Sequence, residues 1–384
     1  MKPMHRLFAG IAPLLLVIAP AFASVPSAPV LDNKAYLLVD FDSGKVLAES
    51  NPNVRLAPAS LTKMMTSYLV EQGLTTGRLK ETDPVFVSEY AWCRGTSKES
   101  CMYLPLNSQA SVIDMLRGVI IQSGNDASKA LAEHMAGNEP AFAEMMNKEA
   151  ARLGMKGSHF MNATGLPDPG HYTTAFDMAV LARAIIRDSS HYYPIYSEKE
   201  FTFNNIKQGN RNALLFTDPT VDGLKTGHTE EAGYCLVASS KRGNMRLISV
   251  VMGTNSMQAR ADQTRALFSW GFANYESAVM QNAGGVLATP KVWFGKTDIV
   301  KAGIANDLAV TLPRGQKDQL KTELVMNPEV DAPIAKGQEL GKVNVVLDGK
   351  VIASQPLVAM EPVDEANFFV RLWHSIKRFF SNLF

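Results

Sequence analysis

Residues 58–66 read PASLTKMMT and place Ser60 and Lys63 three positions apart in an otherwise apolar run. Positions three apart are neighbours on one face of a helix. A serine hydroxyl becomes an effective nucleophile when a base removes its proton, and a lysine can be that base only when it is neutral. The reference lysine pKa of about 10.4 must therefore fall towards 7, and burial among apolar side chains favours this. The stretch predicts an activated serine at a helix start, and the alternative is a helix N-cap followed by a solvated lysine.

Two other short stretches make the catalytic interpretation stronger. Residues 122–126 read QSGND and place Ser123-Gly124-Asn125 at the end of a helical pattern, while residues 222–229 read DGLKTGHT and place Lys225-Thr226-Gly227 on a predicted strand. Taken alone, each is an ordinary helix end or strand end. In this order, S-x-x-K, S-x-N and K-T-G are the motifs of penicillin-binding proteins and class A β-lactamases.

With these motifs the chain resembles the low-molecular-mass penicillin-binding proteins, the D-alanyl-D-alanine carboxypeptidases of the penicillin-binding protein 5 type. The resemblance spans the whole chain and includes HFMNATGLPDPGHYTTAFDMA at 159–179. It implies an α+β fold: a β-lactamase/DD-peptidase-like domain with an antiparallel sheet and a helical insertion, then a small all-β domain and a C-terminal amphipathic helix. It also implies a function, removal of the terminal D-alanine from peptidoglycan pentapeptide stems in wall remodelling and cell-shape maintenance, with acylation by β-lactams.

The resemblance implies catalytic roles for five residues. Ser60 would attack the carbonyl between the two D-alanines, and Lys63 would take its proton. Ser123 would relay a proton to the leaving amine, and Asn125 would hold the substrate amide and the lysine. Lys225 would be a second cation that lowers the pKa of Lys63.

Substrate binding is assigned by the same resemblance to the K-T-G stretch and its surroundings. Lys225 and Thr226 would hold the substrate carboxylate, and Gly227 would lie beside them. The backbone N–H of His228 would form the oxyanion hole with that of the nucleophilic serine. Arg260 lies outside the three motifs; it would also contact the carboxylate, and the alternative is a surface arginine on a helix.

The chain divides into four regions by composition and pattern. Short strand patterns flank a set of helical patterns, which suggests an antiparallel sheet with a helical insertion. After about residue 285, short strands with Pro and Gly turns follow one another, and Asp348-Gly349 is a hairpin turn. The predicted organisation is a signal peptide at 1–23, a peptidase domain at 24–285, a small all-β domain at 286–362 and an amphipathic helix at 363–384.

The N-terminus has the pattern of a secretory signal peptide. Basic residues precede an apolar run, which ends in the small-residue pattern at 21–23. Export to the periplasm makes a disulfide between Cys93 and Cys101 possible, and two free thiols are the alternative. Cys235 lies in an apolar strand pattern and is expected in the core.

The tail FFVRLWHSIKRFFSNLF can form a helix with one aromatic and apolar face and one polar, cationic face. Such a helix belongs in a membrane interface, and the alternative is a helix that docks on a core. We therefore expect the protein at the periplasmic face of the bacterial inner membrane, with lipid as a partner of the tail.

Composition and missing motifs exclude other classes. Net charge is +1 over 384 residues, and no basic run indicates nucleic-acid binding. No metal-ligand spacing and no cofactor motif is present, so neither a metal nor a cofactor is expected. The rival functions are a β-lactamase, an endopeptidase acting on wall cross-links, and a non-catalytic membrane-bound scaffold. No E-x-x-L-N segment, which β-lactamases of class A use for deacylation, lies between Ser123 and Lys225.

Overall fold

The computed structural model describes residues 25–93, 99–327 and 329–381. The predicted signal peptide lies outside these ranges. Fifteen strands are present within them. They are β1 Ala35–Asp40, β2 Val46–Ser50, β3 Pro84–Phe86, β4 Gln109–Ser111, β5 Glu200–Phe203, β6 Ile206–Gly209, β7 Val221–Thr229, β8 Gly233–Arg242, β9 Met245–Thr254, β10 Tyr275–Gln281, β11 Ala302–Gly303, β12 Leu308–Pro313, β13 Lys321–Met326, β14 Glu339–Leu347 and β15 Lys350–Ala359.

Eight α-helices accompany these strands in the described part of the chain. They are α1 Lys63–Thr75, α2 Val112–Arg117, α3 Asn125–Ala136, α4 Glu139–Leu153, α5 Ala175–Asp188, α6 Leu214–Thr217, α7 Met257–Asn274 and α8 Phe368–Ser381. Helix starts follow local capping chemistry. The hydroxyl of Ser111 accepts the N–H of Asp114 at the start of α2, and Thr174 accepts the N–H of Asp177 at the start of α5. In each case an acid lies three positions after the cap residue, a sequence pattern that predicts such a helix start.

The first domain is built on one antiparallel sheet of five strands in the order β2-β1-β9-β8-β7. Strands β1 and β2 form the hairpin that the Asp42-Ser43-Gly44-Lys45 turn predicts. All six helices from α1 to α6 fall between β2 and β7 along the chain. The predicted antiparallel sheet with a helical insertion is therefore confirmed.

Apolar side chains cover both faces of this sheet. Helix α7 packs on one face, where Phe268 and Phe272 meet Leu38 and Leu247. Helices α1 and α5 lie on the other face. Helix α1 is buried along most of its length, as expected for a central helix.

The second domain is all-β, as the sequence predicts. Strands β11, β15, β14 and β13 form one antiparallel sheet in that order, and β10 pairs with β12. Its core is separate from that of the first domain. Strand β10, Tyr275–Gln281, pairs with β12 of this domain. Strands of the all-β region therefore begin about ten residues before the predicted boundary at residue 286.

Polar contacts join the two domains at the β1–β2 hairpin. Lys45 Nζ donates to the carbonyl of Thr311 at 2.9 Å, and the Thr311 hydroxyl is hydrogen-bonded to that of Ser43. The hydroxyl of Ser277 donates to the carboxylate of Asp40. The β domain is thus seated on the sheet edge that carries this hairpin.

Helix α8 docks on the second domain by its polar face. The Nδ1 atom of buried His374 accepts the N–H of Phe294 at 2.9 Å. Arg378 pairs with Glu329 and with Asp331. The apolar face points to solvent: Phe368 and Phe369, for example, are 71% and 78% exposed. The sequence predicts a membrane-interface helix, with a helix docked on a core as the alternative; here the polar face docks and the apolar face stays exposed.

None of the helices within the described ranges combines the length and the apolar character that a membrane span requires.

Candidate active site

Ser60 and Lys63 lie where a short 3-10 turn, Ala59–Thr62, runs into α1. Lys63 is fully buried, and its Nζ lies 3.2 Å from Ser60 Oγ. The same Nζ donates to Asn125 Oδ1 and to the carbonyl of Thr164, each at 2.7 Å. A hydroxyl, a side-chain amide and a backbone carbonyl, all neutral, therefore hold the buried amine.

The segment that supplies the Thr164 carbonyl lies in the 159–179 stretch. Gly165 follows it with φ +81°, and a Cβ at this position would collide with the carbonyl oxygen of Ala59. Close approach and a left-handed backbone both require glycine here. Ala59 itself has φ +47°, which is costly for a residue with a side chain and is typical of functional sites.

The S-G-N stretch begins where a helix breaks. Helix α2 continues as a π-helical turn, Gly118–Gln122, and ends at Ser123 in the left-handed conformation with φ +61°. Helix α3 then starts at Asn125. The break turns Ser123 towards the third motif, and its Oγ accepts a hydrogen bond from Lys225 Nζ at 3.0 Å.

The K-T-G stretch lies on β7, the edge strand beside the nucleophile turn. Lys225 and Thr226 are buried, and a Cβ on Gly227 would lie 2.9 Å from the carbonyl oxygen of Pro58. Only glycine allows this strand so close to the turn that carries Ser60. The predicted placement of K-T-G on a strand is confirmed.

Arg260 lies in the first turn of α7 and is buried, so it is not a surface arginine. Its Nη1 donates to the carbonyl of Gly227 at 3.2 Å, and its guanidinium lies 5.7 Å from the ring of Tyr234. The Tyr234 ring stacks on His228, with centroids 3.9 Å apart. These contacts bring Arg260 to the end of the K-T-G strand.

Burial dominates the electrostatics of both lysines. It lowers the pKa of Lys63 to about 7, and the charge of Arg211 adds to the decrease, while Asp126 and Glu99 oppose it. Burial also lowers the pKa of Lys225 well below its ordinary value, and the charge of Lys63 adds to that effect. The sequence predicted Lys225 as the cation that acts on Lys63; in the structure, Arg211 is the cation whose charge adds to the effect of burial on the pKa of Lys63.

Sequence reasoning missed Arg211 because no motif marks it. It lies in the polar segment before α6, and its Nε donates to the carbonyl of Gln122 at 3.2 Å. That contact places its charge beside the S-G-N stretch. From the sequence alone, nothing indicates that an arginine between two motifs lies beside the active site.

A cavity of about 520 Å³ opens over these residues. Its lining is mixed, and its charged side chains are two arginines and one glutamate. The lining residues are Ser60, Glu99, Ser100, Ser123, Arg211, Thr226, Gly227, His228, Tyr234, Met257 and Arg260. All three motifs thus contribute to one cavity, which is large enough for a short peptide.

Cys101 directly follows Glu99 and Ser100, which line this cavity. The Cα atoms of Cys93 and Cys101 are 6.1 Å apart, a separation that disulfides have. Cys235 is free and buried, as the sequence predicts. Residues 25–93, 99–327 and 329–381 contain no group of three or more His, Cys, Asp or Glu side chains placed to hold a metal ion.

Comparison with known proteins assigns the family. The family model of D-alanyl-D-alanine carboxypeptidases matches residues 23–256. The chain belongs to the D-alanyl-D-alanine carboxypeptidase family. The C-terminal domain model of penicillin-binding protein 5 matches residues 275–365. The predicted resemblance and the predicted fold class are therefore confirmed.

Relatives of this carboxypeptidase cover most of its length. D-alanyl-D-alanine carboxypeptidase DacA of Escherichia coli (strain K12) is 44% identical over 365 residues, which are 94% of this chain and 91% of the relative. A crystal structure of penicillin-binding protein 5 from Haemophilus influenzae, 47% identical, covers 88% of this chain and all of its own, with a TM-score of 0.82. Penicillin-binding protein D2 from Listeria monocytogenes, solved with bound ampicillin, is 28% identical and covers 64% of this chain and all of its own, with a TM-score of 0.57.

Proposed function

We propose that this serine-type D-alanyl-D-alanine carboxypeptidase removes the terminal D-alanine from peptidoglycan stem peptides through an acyl-enzyme on Ser60. The observation that carries the proposal is the pair of Ser60 and Lys63. A buried amine with a pKa of about 7 lies 3.2 Å from the hydroxyl that it has to deprotonate. Membership of the family and relatives named for this activity support the same conclusion.

Acylation follows from the three contacts of Lys63 Nζ. When the amine is neutral, its two N–H groups stay on Asn125 Oδ1 and the Thr164 carbonyl, and its lone pair accepts the Ser60 proton. Ser60 Oγ then forms a bond to the carbonyl carbon between the two D-alanines. The resulting oxyanion lies at the N–H groups of Ser60 and His228, which we assign as the oxyanion hole.

Collapse of this intermediate breaks the peptide bond and needs a proton on the leaving amine. Ser123 is the proposed relay, because it lines the cavity and its Oγ lies 3.0 Å from Lys225 Nζ. The Ser123 hydroxyl gives its proton to the amine of the departing D-alanine and receives the proton that Lys63 took from Ser60, which leaves Lys63 neutral again. Water then hydrolyses the ester and releases the shortened peptide.

The substrate carboxylate supplies a negative charge next to the two buried lysines. Lys225, Thr226 and Arg260 are its proposed partners, with Gly227 giving the room for the peptide backbone. A carboxylate beside Lys225 favours its charged form. Substrate binding would therefore charge Lys225, and that charge would keep Lys63 neutral for its role as base.

The protein is proposed to act at the periplasmic face of the inner membrane. The signal-peptide pattern at 1–23 supports export, and the exposed apolar face of α8 supports binding at a membrane interface. Arg371 pairs with Glu365, and Arg378 pairs with Glu329 and Asp331, so these arginines have less charge to offer to lipid. Apolar burial is then the main contribution to membrane binding.

The domain division is proposed in the same way. The peptidase region ends, and the all-β region begins, between α7 and the strands that follow it, and the amphipathic helix begins after about residue 362. The β domain lies between the peptidase domain and the tail along the chain, so it would hold the active site away from the membrane and towards the wall. Peptidoglycan remodelling and cell-shape maintenance are the expected roles.

D-alanine release tests the proposed activity. The mature protein should release D-alanine from diacetyl-L-Lys-D-Ala-D-Ala, and Ser60→Ala should release none, because the nucleophile is missing. Absence of release by the wild-type protein would contradict the proposal. Release by Ser60→Ala at the wild-type rate would contradict the assignment of the nucleophile.

A further inference from the structure

Glu99 is the only carboxylate among the side chains that line the active-site cavity in the described part of the chain. Arg211 and Arg260 line the same cavity, and both are suited to anionic groups. The proposed chemistry uses neither the Glu99 carboxylate nor any other acid. The presence of one acid beside two arginines therefore needs a separate explanation.

The chain around Glu99 is fixed to the start of α3. The N–H of Asn125 donates to the carbonyl of Ser100 at 2.7 Å. Asp126 accepts the N–H groups of Met102 and Leu104 at 2.8 and 3.1 Å. Glu99 thus lies next to a segment that three hydrogen bonds attach to the first two residues of α3, Asn125 and Asp126.

The side chain of Glu99 contacts the substrate-holding amide directly. Asn125 Nδ2 donates to Glu99 Oε2 at 3.2 Å, while its Oδ1 accepts from Lys63. An amide NH₂ has two donors, so the second N–H is left for a substrate carbonyl. If that carbonyl belongs to the residue before the two D-alanines, the side chain of this residue passes within reach of Glu99.

The Glu99 carboxylate is only weakly paired within the described part of the chain. Its ion pair there is with Lys129, whose Nζ lies 4.0 Å from Oε2, at the outer limit of an ion pair. The Glu99 side chain is 32% exposed, so a ligand can reach it. Among the described residues, a substrate ammonium at this position would meet a carboxylate whose own ion pair is long.

We propose that Glu99 is a specificity residue that selects stem peptides with a side-chain ammonium on the residue before the two D-alanines. The proposal rests on the proposed function and adds the class of substrate that the site prefers. Because the carboxylate is partly exposed, the preference is expected to be roughly threefold to tenfold in kcat/KM and to weaken with salt.

Two peptides that differ by one charge test this preference. Nα-acetyl-L-Lys-D-Ala-D-Ala carries a free ε-ammonium, and Nα,Nε-diacetyl-L-Lys-D-Ala-D-Ala does not. The wild-type protein should release D-alanine from the first with the higher kcat/KM. Glu99→Gln keeps the shape of the side chain and an acceptor for Asn125. Any effect on catalysis that is common to both peptides cancels in the ratio of their kcat/KM values. That ratio should fall to about one in the variant.

Glu230→Gln is the matched control, because it removes an exposed acid two residues after His228 that does not line the cavity. Its ratio should stay at the wild-type value. A wild-type ratio of one, or an unchanged ratio in Glu99→Gln, overturns the proposal.

If neither peptide releases D-alanine, the proposed activity fails, and the two peptides are compared as competitors of fluorescent penicillin at Ser60. Stronger protection by the free-ammonium peptide in the wild type, lost in Glu99→Gln, supports the proposal, and equal protection overturns it.

Discussion

Lys225 Nζ donates a hydrogen bond to Ser123 Oγ at 3.0 Å, and this contact joins the K-T-G strand to the S-G-N loop. On the other side of the site, Lys63 joins Asn125 to Ser60. The three motifs are therefore one hydrogen-bonded unit around two buried amines. Such a unit is sensitive to charge, because each buried cation disfavours the other.

The pH dependence of acylation should follow the ionisation of Lys63. Its pKa of about 7 lies below the ordinary lysine value, so the neutral, basic form grows as pH rises through 7. The second-order rate constant for acylation by penicillin should rise about tenfold per pH unit well below pH 7 and level off above it. Stopped-flow or quenched labelling between pH 5 and 9 measures this profile, and a flat profile would argue against Lys63 as the base.

Arg211→Gln should move that profile to higher pH. The guanidinium of Arg211 helps to lower the pKa of Lys63, so its removal raises that pKa and delays formation of the neutral amine. The same labelling experiment gives the midpoint. Arg242→Gln is the control, since Arg242 is exposed at the far end of β8 and pairs with Asp218. A midpoint that stays in place or falls in Arg211→Gln would show that its charge does not act on Lys63.

Local features of the fold were predictable because short-range chemistry encodes them. The Ser111 and Thr174 caps and the Asp348-Gly349 turn each depend on residues within three positions. The antiparallel sheet with its helical insertion followed from strand patterns at both ends of a helical region. The meeting of the three motifs in one cavity was predictable because they occur in a known order.

The unpredicted features all depend on contacts between distant segments. Arg211 acts through its position beside the S-G-N stretch, and Glu99 meets Asn125 from 26 residues earlier in the chain. Helix α8 has an evident apolar face, but the acids that pair with Arg378 lie more than 40 residues away. Periodicity gives the faces of a helix and does not say which face has a partner.

Cys93 and Cys101 should be bonded in the exported protein. Thiol labelling of the denatured, unreduced protein should then modify Cys235 alone, and three labelled thiols would disprove the bond. Replacing both cysteines by alanine should lower the free energy of unfolding by roughly 2.5 kcal/mol, because a closed loop restricts the unfolded chain. Chemical denaturation compares the variant with the wild type. Because the loop adjoins Glu99, acylation should be measured in the same variant.

The tail should bind membranes mainly through its apolar face. Truncation before Phe368 should give a protein that does not sediment with vesicles and keeps its activity on small peptides. Replacing Phe379 and Phe380 together by serine should weaken vesicle binding on the order of a hundredfold, because two exposed aromatic side chains lose their burial in lipid. Co-sedimentation at low and high salt is the measurement.

Lys377→Gln is the matched control for the tail, because it removes an exposed charge from α8 and leaves the aromatic residues in place. It should weaken vesicle binding much less than the double serine variant. Full-length mature protein that stays in the soluble fraction at both salt concentrations would contradict the membrane assignment.

Penicillin should acylate Ser60 and remain bound much longer than a peptide acyl group. A β-lactam presents an amide carbonyl and a carboxylate, as a D-Ala-D-Ala terminus does, so the same side chains should engage both. After peptide attack the D-alanine leaves and water can enter, whereas the β-lactam nitrogen stays tethered and obstructs water. In the described part of the chain, no carboxylate lies within hydrogen-bonding distance of Ser60 Oγ to activate that water.

Intact-protein mass spectrometry after brief exposure to penicillin measures the adduct and its decay. One adduct should form, on Ser60, and Ser60→Ala should form none. Lys63→Ala should lose most of the acylation rate while substrate still docks, because Thr226 and Lys225 remain to hold its carboxylate. Since the base acts only in the chemical step, kcat should fall far more than KM rises. An adduct on another residue, or turnover as fast as that of a β-lactamase, would mean that a different group controls deacylation.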